Sequence, residues 1–413
     1  MTPDAGTQTL DYVLARGVID IIPKGSLTEA LESGKKLRLK LGLDPSKPDL
    51  HIGHAVLLRK LRALQEMGHQ VVLIVGDWTA QIGDPSGQSV MRPMLTADEV
   101  KANAETYMRQ FFHVVDKKKT EVRWQSEWFD DFKLDEVVRL AGRFTVAQML
   151  QREDFRQRFD AKQPLGIHEL LYPLLQAYDS VAIDADVEFG GTDQLFNMLV
   201  GRELQQDMGK EPQIVFTMNL LVGTDGSQKM SKSVGNTIDL EDPPDEQYGK
   251  VMSIPDEALM SYLELATDLP DEEITYIGKQ LEEKKTNPMD VKKRLARDIV
   301  RQFHGEKAAA EAEREFGRVF QQRETPEHME ELRLADLKSY ATDGSTKYDL
   351  PHLLHDKGLA ASVAEARRLI KQGAVNVLEG PGKGAVQGPQ VELAEGSVLR
   401  VGKHRFLKIV AAP

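Results

Sequence analysis

The sequence predicts an α/β protein whose parallel sheet is followed by a helical region and a small α+β module. Residues 37–43 read as a strand that stops at the turn signal Asp44-Pro45. Residues 71–75 form a short apolar run, which is typical of a strand buried on both faces. Between these strands, apolar residues recur at three-residue spacing over 55–64, which indicates a helix.

A strand, a helix and a parallel strand in this order form a Rossmann-type unit, which binds a nucleotide at the carboxyl ends of its strands. A second strand and helix are predicted over 187–204, and a further strand over 213–221. The pattern from about 90 to 165 is mostly helical, so we expect an insertion there that interrupts the sheet. We therefore predict a nucleotide-binding catalytic domain over residues 1–235.

The remainder of the chain has a different character. Residues 236–335 are helical in pattern and highly charged, which predicts a helical domain. Residues 336–348 are polar and rich in turn residues, as expected of a linker. The last segment, 349–413, combines strand-like stretches with a short helix that begins at the capping-box residues Ser362 and Glu365. It predicts a small α+β domain.

Composition narrows the class of protein. A chain of 413 residues with 41% hydrophobic and 29% charged residues is typical of a soluble protein with more than one core. It contains no cysteine, which excludes disulfides and thiolate metal sites and is compatible with a reducing cytosol. Because it shows neither an apolar segment of membrane-spanning length nor a signal peptide, we expect a cytoplasmic protein without membrane contact.

The charge is unevenly distributed along the chain. The net charge of −12 by itself argues against a nucleic-acid partner. Residues 351–413, however, carry nine Lys and Arg against five Asp and Glu, a net charge of +4, whereas the first 350 residues carry −16. A basic terminal domain on an acidic body indicates a polyanion that docks at one end.

Two histidines lie at the predicted junction of strand and helix, in the sequence His51-Ile-Gly-His54. Their spacing puts both rings on one side of the helix start, where free N–H groups and the helix dipole favour phosphate. Gly53 removes a side chain where a ligand approaches closely. Two alternatives remain: capping or surface histidines, and a zinc site, for which no third ligand is evident and the spacing is unusual.

A second basic motif, Lys229-Met-Ser-Lys232-Ser, lies in the glycine- and serine-rich stretch 223–236, which predicts a mobile loop. Two lysines on such a loop can close over a leaving pyrophosphate and neutralise charge that is greatest in the transition state. The alternative is a solvated basic loop. The occurrence of both motifs on a nucleotide-binding sheet favours ATP-dependent activation of a carboxylate.

The chain resembles the class I aminoacyl-tRNA synthetases, and among them the bacterial tyrosyl-tRNA synthetases, over essentially its whole length. The two motifs above correspond to the HIGH and KMSKS signatures of that class. Three further motifs carry the resemblance: Gly83-Asp-Pro-Ser-Gly87, Tyr172-Pro-Leu-Leu-Gln-Ala-Tyr-Asp179 and Gly190-Gly-Thr-Asp-Gln194. The resemblance implies a homodimer that makes tyrosyl-adenylate from L-tyrosine and Mg²⁺-ATP and transfers the tyrosine to the terminal adenosine of tRNA(Tyr).

The tyrosine site is predicted partly from residue spacing. Tyr172, Gln176 and Asp179 line one face of a helix that is otherwise apolar, where polar groups need partners. The resemblance implies that Tyr172, Gln176 and Asp84 bind the substrate ammonium. It also implies that Asp179 accepts a hydrogen bond from the phenolic hydroxyl, the alternative being a salt bridge on the helix. A buried acceptor of this kind rejects phenylalanine, which would leave it unpaired.

On the nucleotide side, the resemblance implies that His51, His54, Lys229 and Lys232 are catalytic and stabilise the transition state. It places the adenylate against Gly42, Asp44, Gly53, Gly191, Asp193, Gln194, Met230 and Ser231. Asp193 suits two ribose hydroxyls, although it also suits the cap of the following helix. We expect neither a metal site in the protein nor a tightly bound cofactor.

Two positions depart from the family pattern. Lys40 stands where many tyrosyl enzymes have a tyrosine that contacts the substrate hydroxyl. This lysine could donate to that hydroxyl or pair with Asp179, so it joins the predicted tyrosine site. Gln88 stands where many relatives have a lysine, so a pyrophosphate contact there would be neutral, with Arg92 as a replacement. We interpret the sequence around Lys40 as that of a second bacterial subgroup, not as a loss of function.

The segment from Leu350 onward resembles the S-four-type RNA-binding domain, named after a ribosomal protein. Arg367, Arg368 and Lys371 on its capped helix are candidates for phosphate contacts. A basic helix predicted over 288–301 is a similar candidate, so we expect the helical domain to contact tRNA. The alternative in both places is a solvated amphipathic face.

Two other functions are open to this sequence. A tryptophanyl-tRNA synthetase has a similar catalytic fold, but such relatives generally lack the C-terminal RNA-binding domain, and Asp179 suits a phenol better than an indole. A noncatalytic RNA-binding protein derived from a synthetase is the second alternative. The intact HIGH and KMSKS motifs argue against it.

Overall fold

A six-stranded sheet forms the core of the first compact unit, Met1–Glu313, which is followed by a second unit, Arg314–Pro413. The computed structural model describes residues 10–46, 49–85, 95–321, 329–342, 347–402 and 405–411. The strands are β1 Val18–Ile22, β2 Arg38–Leu43, β3 Gln70–Val75, β4 Thr120–Trp124, β5 Val187–Gly191 and β6 Ile214–Met218. Their order is β1-β6-β5-β2-β3-β4, and all neighbours are parallel except β1 and β6.

The order of the strands fixes where a ligand binds. Every residue of β6 and nearly every residue of β3 is buried, as in a parallel sheet covered on both faces. Strand β2 lies in the middle of the sheet. Strands β3 and β4 continue the sheet on one side of it, and β5 and β6 continue it on the other side. A crevice therefore opens at the carboxyl ends of β2 and β5, which is the usual ligand position in such sheets.

Helices of the first unit connect the strands and continue beyond the sheet. They are α1 Leu10–Ala15, α2 Ser26–Glu32, α3 Ile52–Glu66, α4 Thr79–Ile82, α5 Ala97–Val114, α6 Ser126–Phe129, α7 Leu134–Ala141, α8 Val146–Met149, α9 Glu153–Asp160, α10 Ile167–Ala182, α11 Leu195–Asp207, α12 Pro244–Met252, α13 Leu259–Ala266, α14 Asp271–Glu282 and α15 Pro288–Phe316. The last of these bends at Gly305, whose φ of 85° is not helical. None of the helices in the described ranges is long and apolar enough to cross a membrane.

The predicted α/β fold is confirmed, but two strands of the sheet were not foreseen. Strand β4 lies within 90–165, the region expected to interrupt the sheet, and it pairs with β3 instead. This strand was not predicted because its sequence has no apolar run. It is an edge strand, and every one of its residues is partly exposed. Strand β1 is the opposite edge and is irregular, with a register shift between Val18 and Asp20.

The second unit is a small α+β domain. Its strands are β7 Glu330–Arg333, β8 Lys347–Asp349, β9 Val375–Glu379, β10 Gly384–Ala385, β11 Gln390–Glu392, β12 Val398–Val401 and β13 Arg405–Val410, and its helices are α16 Leu350–Asp356 and α17 Val363–Lys371. Five strands form a sheet in the order β10-β9-β12-β13-β7, and β11 pairs with β8. As the capping box predicts, the Ser362 hydroxyl accepts a hydrogen bond from the Glu365 N–H at 3.1 Å.

This domain begins earlier in the chain than the predicted boundary at 349. Strand β7 pairs with β13, and the stretch predicted as the linker, 336–348, contains a short 3-10 helix and part of β8. Leu337 and Tyr348 are buried in the apolar core of the domain. The described parts of 336–348 are therefore a packed segment and not a linker. The composition of this stretch is mostly polar, so the burial of these two residues was not predicted.

Candidate active site

A cleft of about 280 Å³ opens at the carboxyl ends of β2 and β5. The predicted site residues that line it are Gly42, Asp44, His51, Gly53, His54, Asp84, Tyr172, Gln176, Asp179, Gly191, Asp193, Gln194, Lys229 and Met230. Lys40, Ser231 and Lys232 are not among its lining residues. Segments that are far apart in the sequence therefore meet in one cleft.

The two histidines stack at the first turn of α3. His51 is the N-cap, its ring centroid lies 3.9 Å from that of His54, and its backbone N–H donates to His54 Nδ1 at 3.2 Å. Burial and the nearby lysines lower the pKa of both imidazoles, that of His54 to about 4. Both rings are therefore neutral at pH 7, and His54 carries its proton on Nε2. They offer hydrogen bonds, not positive charge, to a ligand.

Gly53 is required by the stacking of these rings. A Cβ on this residue would lie only 2.9 Å from His51 Nδ1, which is closer than side-chain atoms approach. His51 Nδ1 itself is buried and has no hydrogen-bond partner among the described residues. A buried ring nitrogen without a partner is costly, which indicates that a ligand or water completes it.

The two lysines of the second motif are ion-paired with carboxylates. Lys229 Nζ pairs with Asp193, and Lys232 Nζ lies 2.5 Å from Asp239 and 3.4 Å from Asp49. About half of the Lys229 side chain and a fifth of the Lys232 side chain are exposed. Partly exposed pairs of this kind are weak, so an incoming polyphosphate can replace the carboxylates. Asp193, predicted to hold the ribose, is one of the groups that such a ligand would release.

The segment that carries these lysines is held by a group of hydrogen bonds around Asn236 and Asp225, which is called the clasp here. The sequence did not predict it. The side chain of Asn236, which is 4% exposed, accepts from the Ser231 N–H at 2.8 Å and donates to Asp225 and to Lys229 O. Asp225 in turn accepts from the N–H groups of Ser227 and Gln228 at 2.7 Å, and these bonds hold its pKa far below the usual range. The predicted mobile loop therefore has a fixed internal geometry.

Among the other lining residues of the cleft, Tyr172 and Asp44 are joined directly. The Tyr172 hydroxyl donates to Asp44 Oδ2 at 2.7 Å, and the Thr79 hydroxyl donates to Asp44 Oδ1 at 2.7 Å. Burial raises the pKa of Tyr172 well above its usual value, so the phenol stays neutral and remains a donor. Asp44, predicted on the adenylate side, thus belongs to the same group as Tyr172.

Asp179 offers one unused carboxylate oxygen. It is 2% exposed, its Oδ2 accepts from Gln125 Nε2 at 2.8 Å, and its Oδ1 is buried without a hydrogen-bond partner among the described residues. Burial raises the pKa of Asp179 to about 7. Among the described residues, Asp179 forms no salt bridge on its helix, which was the alternative for this residue. A buried acceptor that lines the cleft is suited to a ligand O–H.

Gln125 is a site residue that sequence reasoning missed. Its Oε1 accepts from the backbone N–H of Thr79 at 2.9 Å, so its amide nitrogen points to Asp179. The residue directly follows β4. The pattern of 90–165 predicts an insertion and no strand end, so the sequence gives no reason to expect a ligand contact at this position.

Lys40 does not reach the cleft, which corrects its assignment to the tyrosine site. Its side chain is fully buried, and its ammonium donates to Gln176 O at 2.8 Å and Ser180 Oγ at 2.7 Å. The third contact is an ion pair with Glu188 Oε1 at 2.9 Å. All three N–H bonds are thus engaged, so neither a bond to a substrate hydroxyl nor the pairing with Asp179 is formed.

A chain of amides links the remaining polar residues of the cleft. Gln194 Nε2 donates to Asp84 at 2.8 Å, and Asn197 Nδ2 donates to the side-chain oxygens of Gln194 and Gln176, each at 3.0 Å. Gln176 Nε2 continues the chain to Glu188 at 3.2 Å. Gln194, predicted for the adenylate, therefore also orients the predicted ammonium ligands. Asn197 is a further residue that the sequence analysis missed.

Some predicted contacts lie elsewhere. Ser86, Gly87, Gln88 and Arg92 are outside the described residues. Arg367, Arg368 and Lys371 are exposed on α17 in the second unit. On α15, four of the basic residues in the helix predicted over 288–301 pair with acidic neighbours: Lys292 with Asp256, Arg294 with Glu273, Arg297 with Glu306 and Arg301 with Asp298. These ion pairs favour the alternative of a solvated face for that helix.

Zinc, the other alternative for the histidine pair, finds no support. In the described ranges, no group of three or more His, Asp or Glu side chains is placed to hold a metal ion. Two neutral histidines at a helix N-terminus share a cleft of the parallel sheet with a lysine segment, which is the arrangement that the resemblance to class I synthetases predicts for a nucleotide site.

Comparison with known proteins agrees with this class. The sequence model of the family described as tRNA synthetases class I (W and Y) matches residues 32–321. The tyrosine–tRNA ligase of Dehalococcoides mccartyi strain CBDB1 is 53% identical over 401 residues, 97% of this chain and 98% of that protein. The tyrosine–tRNA ligase of Thermotoga maritima is 49% identical over 99% of this chain and 98% of its own length. The chain belongs to the bacterial tyrosyl-tRNA synthetase family.

Solved structures show the same fold. A C-terminally truncated mitochondrial tyrosyl-tRNA synthetase from Aspergillus nidulans aligns with a TM-score of 0.61 at 23% identity, covering 75% of this chain and 93% of that one. Tyrosyl-tRNA synthetase from Archaeoglobus fulgidus, complexed with L-tyrosine, aligns with a TM-score of 0.59 at 21% identity, covering 74% and 98%.

Proposed function

We propose that this chain is a tyrosine–tRNA ligase, which activates L-tyrosine with ATP and transfers it to the terminal adenosine of tRNA(Tyr). The observation that carries the choice of amino acid is the unused Oδ1 of Asp179. Gln125 occupies the other oxygen, so one acceptor remains for the phenolic O–H of tyrosine. Phenylalanine would leave that buried acceptor without a partner.

The acidic groups of the cleft suit the substrate ammonium. Asp44 and Asp84 both line it, each hydrogen-bonded to a neutral side chain, Tyr172 and Gln194 respectively. Gln176 lies beside them in the amide chain. A cation bound here gains from two carboxylates in a largely enclosed site, where charges interact more strongly than in water. The tyrosine carboxylate then points away from these acids, toward the nucleotide.

In the first step, a carboxylate oxygen of tyrosine attacks the α-phosphorus of ATP, which enters as its Mg²⁺ complex. The bond to the bridging oxygen breaks, and pyrophosphate leaves with the electron pair. The neutral imidazoles of His51 and His54 donate hydrogen bonds to the phosphates. Lys229 and Lys232, released from their carboxylates, neutralise the charge that develops on the leaving group.

In the second step, a ribose hydroxyl of the terminal adenosine attacks the carbonyl carbon of tyrosyl-adenylate, and AMP leaves. Once Lys229 has released it, Asp193 accepts hydrogen bonds from the ribose hydroxyls of the adenylate. No side chain is covalently modified in either step. Catalysis rests on orientation and on charge stabilisation.

The tRNA is proposed to contact several parts of the chain. The exposed Arg367, Arg368 and Lys371 on α17 are candidates for phosphate contacts in a domain that carries a net charge of +4 over 351–413. Apart from the ion-paired face of α15, the helical region predicted over 236–335 is the second candidate surface. Because tRNA is charged where proteins are synthesised, we place the chain in the cytoplasm.

A homodimer is proposed through the exposed apolar side chains of 134–167. These side chains and their exposures are Leu134 79%, Val138 61%, Val146 61%, Phe159 59% and Ile167 78%. Exposed apolar residues concentrated in one stretch are typical of a protein interface. Sedimentation should show a dimer for the parent chain and a shift to monomer for V138D. A dimer that persists in this variant would place the interface elsewhere.

Amino-acid-dependent exchange of labelled pyrophosphate into ATP tests the function. We expect exchange with tyrosine and little with phenylalanine or tryptophan. Exchange with tryptophan alone would show that tryptophan, and not tyrosine, is the substrate. An absence of exchange with all three amino acids would support the noncatalytic RNA-binding alternative.

A further inference from the structure

A buried ion pair lies beside the proposed tyrosine contacts: Glu188 lines the cleft and Lys40 does not. Lys40 on β2 and Glu188 on β5 stand opposite each other in the parallel register of the sheet. Their side chains are 0% and 2% exposed, and Lys40 Nζ lies 2.9 Å from Glu188 Oε1. A buried ion pair adds little stability by itself, because the desolvation of the two charges offsets much of their attraction. Its presence here therefore calls for another explanation.

The pair is tied to the helix that carries the tyrosine contacts. Lys40 donates to Gln176 O and Ser180 Oγ on α10. Glu188 accepts from Gln176 Nε2 at 3.2 Å, from Ser180 Oγ at 3.2 Å and from Gln213 Nε2. The ammonium thus holds the backbone of α10, and the carboxylate holds the Gln176 side chain.

We propose that Lys40 is the positioning residue for tyrosine selection: it acts through Glu188, Gln176 and Asp179 and never touches the substrate. This inference rests on the proposed function. Lys40 fixes the segment of α10 between Gln176 and Ser180, and Asp179 lies within that segment. A shift of this turn would move the unused Oδ1 away from the phenol.

The charge of Lys40 also acts on Asp179. Burial raises the pKa of Asp179, and Lys40 is the strongest influence that opposes the increase. The other groups that act on Asp179 are the Gln125 amide, which lowers its pKa, and Glu188 and Asp44, which raise it. Lys40 therefore favours the ionised carboxylate, which is the form that accepts the phenolic O–H.

Opposite changes at the two members of the pair should have opposite effects on tyrosine recognition. Lys40→Met removes a cation and should raise the pKa of Asp179. Glu188→Gln removes an anion and should lower it, while keeping an oxygen that accepts hydrogen bonds. A merely structural role would damage both variants alike, without moving a titration in opposite directions.

The test is the pH profile of kcat/KM for tyrosine in pyrophosphate exchange by the full-length chain, which reports the titration of the free enzyme. For Lys40→Met we expect the midpoint to rise by about 1 pH unit, as for loss of a close opposite charge, and kcat/KM at pH 7 to fall about fivefold. For Glu188→Gln we expect the midpoint to fall below that of the parent.

Lys60→Met is the matched control. Lys60 is another buried lysine, 1% exposed, but it contacts Tyr12 in α1 and does not line the cleft. Its loss should cost stability without moving the midpoint. If Lys40→Met fails to fold, Glu188→Gln and the double variant Lys40→Met/Glu188→Gln, which leaves no unpaired buried charge, still report the midpoint.

Three results would decide the matter. Midpoints in the order Glu188→Gln, parent, Lys40→Met would support the inference. Equal midpoints in an active parent and in the variants would overturn the role of Lys40 and leave the proposed function intact. A parent chain that shows no tyrosine-dependent exchange would overturn the proposed function itself.

Discussion

The two ends of the cleft are built differently. The proposed tyrosine contacts Asp44, Gln125, Tyr172 and Asp179 are called the tyrosine end here. The proposed phosphate contacts His51, His54 and Lys229, with Lys232 next to the cleft, are called the phosphate end. At the tyrosine end, buried side chains hold one another with hydrogen bonds of 2.7–2.9 Å, and one acceptor is left over. At the phosphate end, neutral imidazoles face lysines that are partly exposed and paired with carboxylates.

This difference indicates that one end selects the amino acid and the other end stabilises the transition state. A buried acceptor discriminates between amino acids, because a ligand without a donor leaves it unpaired. Exposed ion pairs exchange partners at little cost, so the lysines can follow charge as it develops on the phosphates. Changes at the tyrosine end should therefore alter binding, and changes at the phosphate end should alter the rate.

The largest effect is expected at the phosphate end. Lys232→Ala should lower the rate of tyrosyl-adenylate formation by about 10²–10³-fold, because a charge contact made in the transition state is lost. The affinity for tyrosine, measured by equilibrium dialysis, should stay within about twofold. A loss confined to tyrosine affinity would contradict the separation.

The next effect is expected at the tyrosine end. Asp179→Asn should lower the preference for tyrosine over phenylalanine by roughly 10–100-fold, the value of a hydrogen bond to a charged group. The comparison of kcat/KM for the two amino acids in pyrophosphate exchange measures this. An unchanged preference would show that another group selects the phenol.

A smaller effect follows from the titration of Asp179, whose pKa burial raises to about 7. The phenolic O–H bonds to the ionised form, so tyrosine binding should release a proton and strengthen as pH rises through that value. Between pH 6 and pH 8, kcat/KM for tyrosine should rise roughly tenfold. Asp179→Asn has no carboxyl to titrate, so its profile should lack this rise.

The smallest effect concerns the clasp. Asn236→Ala should lower kcat for adenylate formation about fivefold and leave the KM for tyrosine unchanged, because the backbone around Lys229 and Ser231 loses its support. Asn376→Ala in the second unit is the control and should leave both constants at parental values. A change in KM without a change in kcat would assign the clasp to the tyrosine end.

Much of the fold was predictable from local pattern, because buried central strands such as β3 have apolar runs and α3 has a regular apolar spacing. Strand β4 was not, because its sequence TEVRW has no apolar run, whereas β1 was missed although its sequence VIDII is largely apolar. The site residues of the recognised motifs could be named in advance. Gln125, Glu188 and Asn197 could not, because an amide or carboxylate acquires its role only through partners that are remote in sequence.

Lys40 shows the limit most clearly. Its position in the sequence suggested contact with the substrate, and the residue is indeed next to the site. Only the structure shows that its three donors are already used by Gln176, Ser180 and Glu188. Resemblance to a known family predicts that a residue lies near a site. The direction of its side chain depends on packing and is not predicted.

A double-mutant cycle tests the separation of the two ends most directly. It compares kcat/KM for tyrosine in pyrophosphate exchange among the parent, Asp179→Asn, Lys232→Ala and the double variant. If one end selects and the other catalyses, the two losses should add as free energies to within about 0.5 kcal/mol. A coupling energy well above about 1 kcal/mol would show that the two ends act as one unit and would contradict the account.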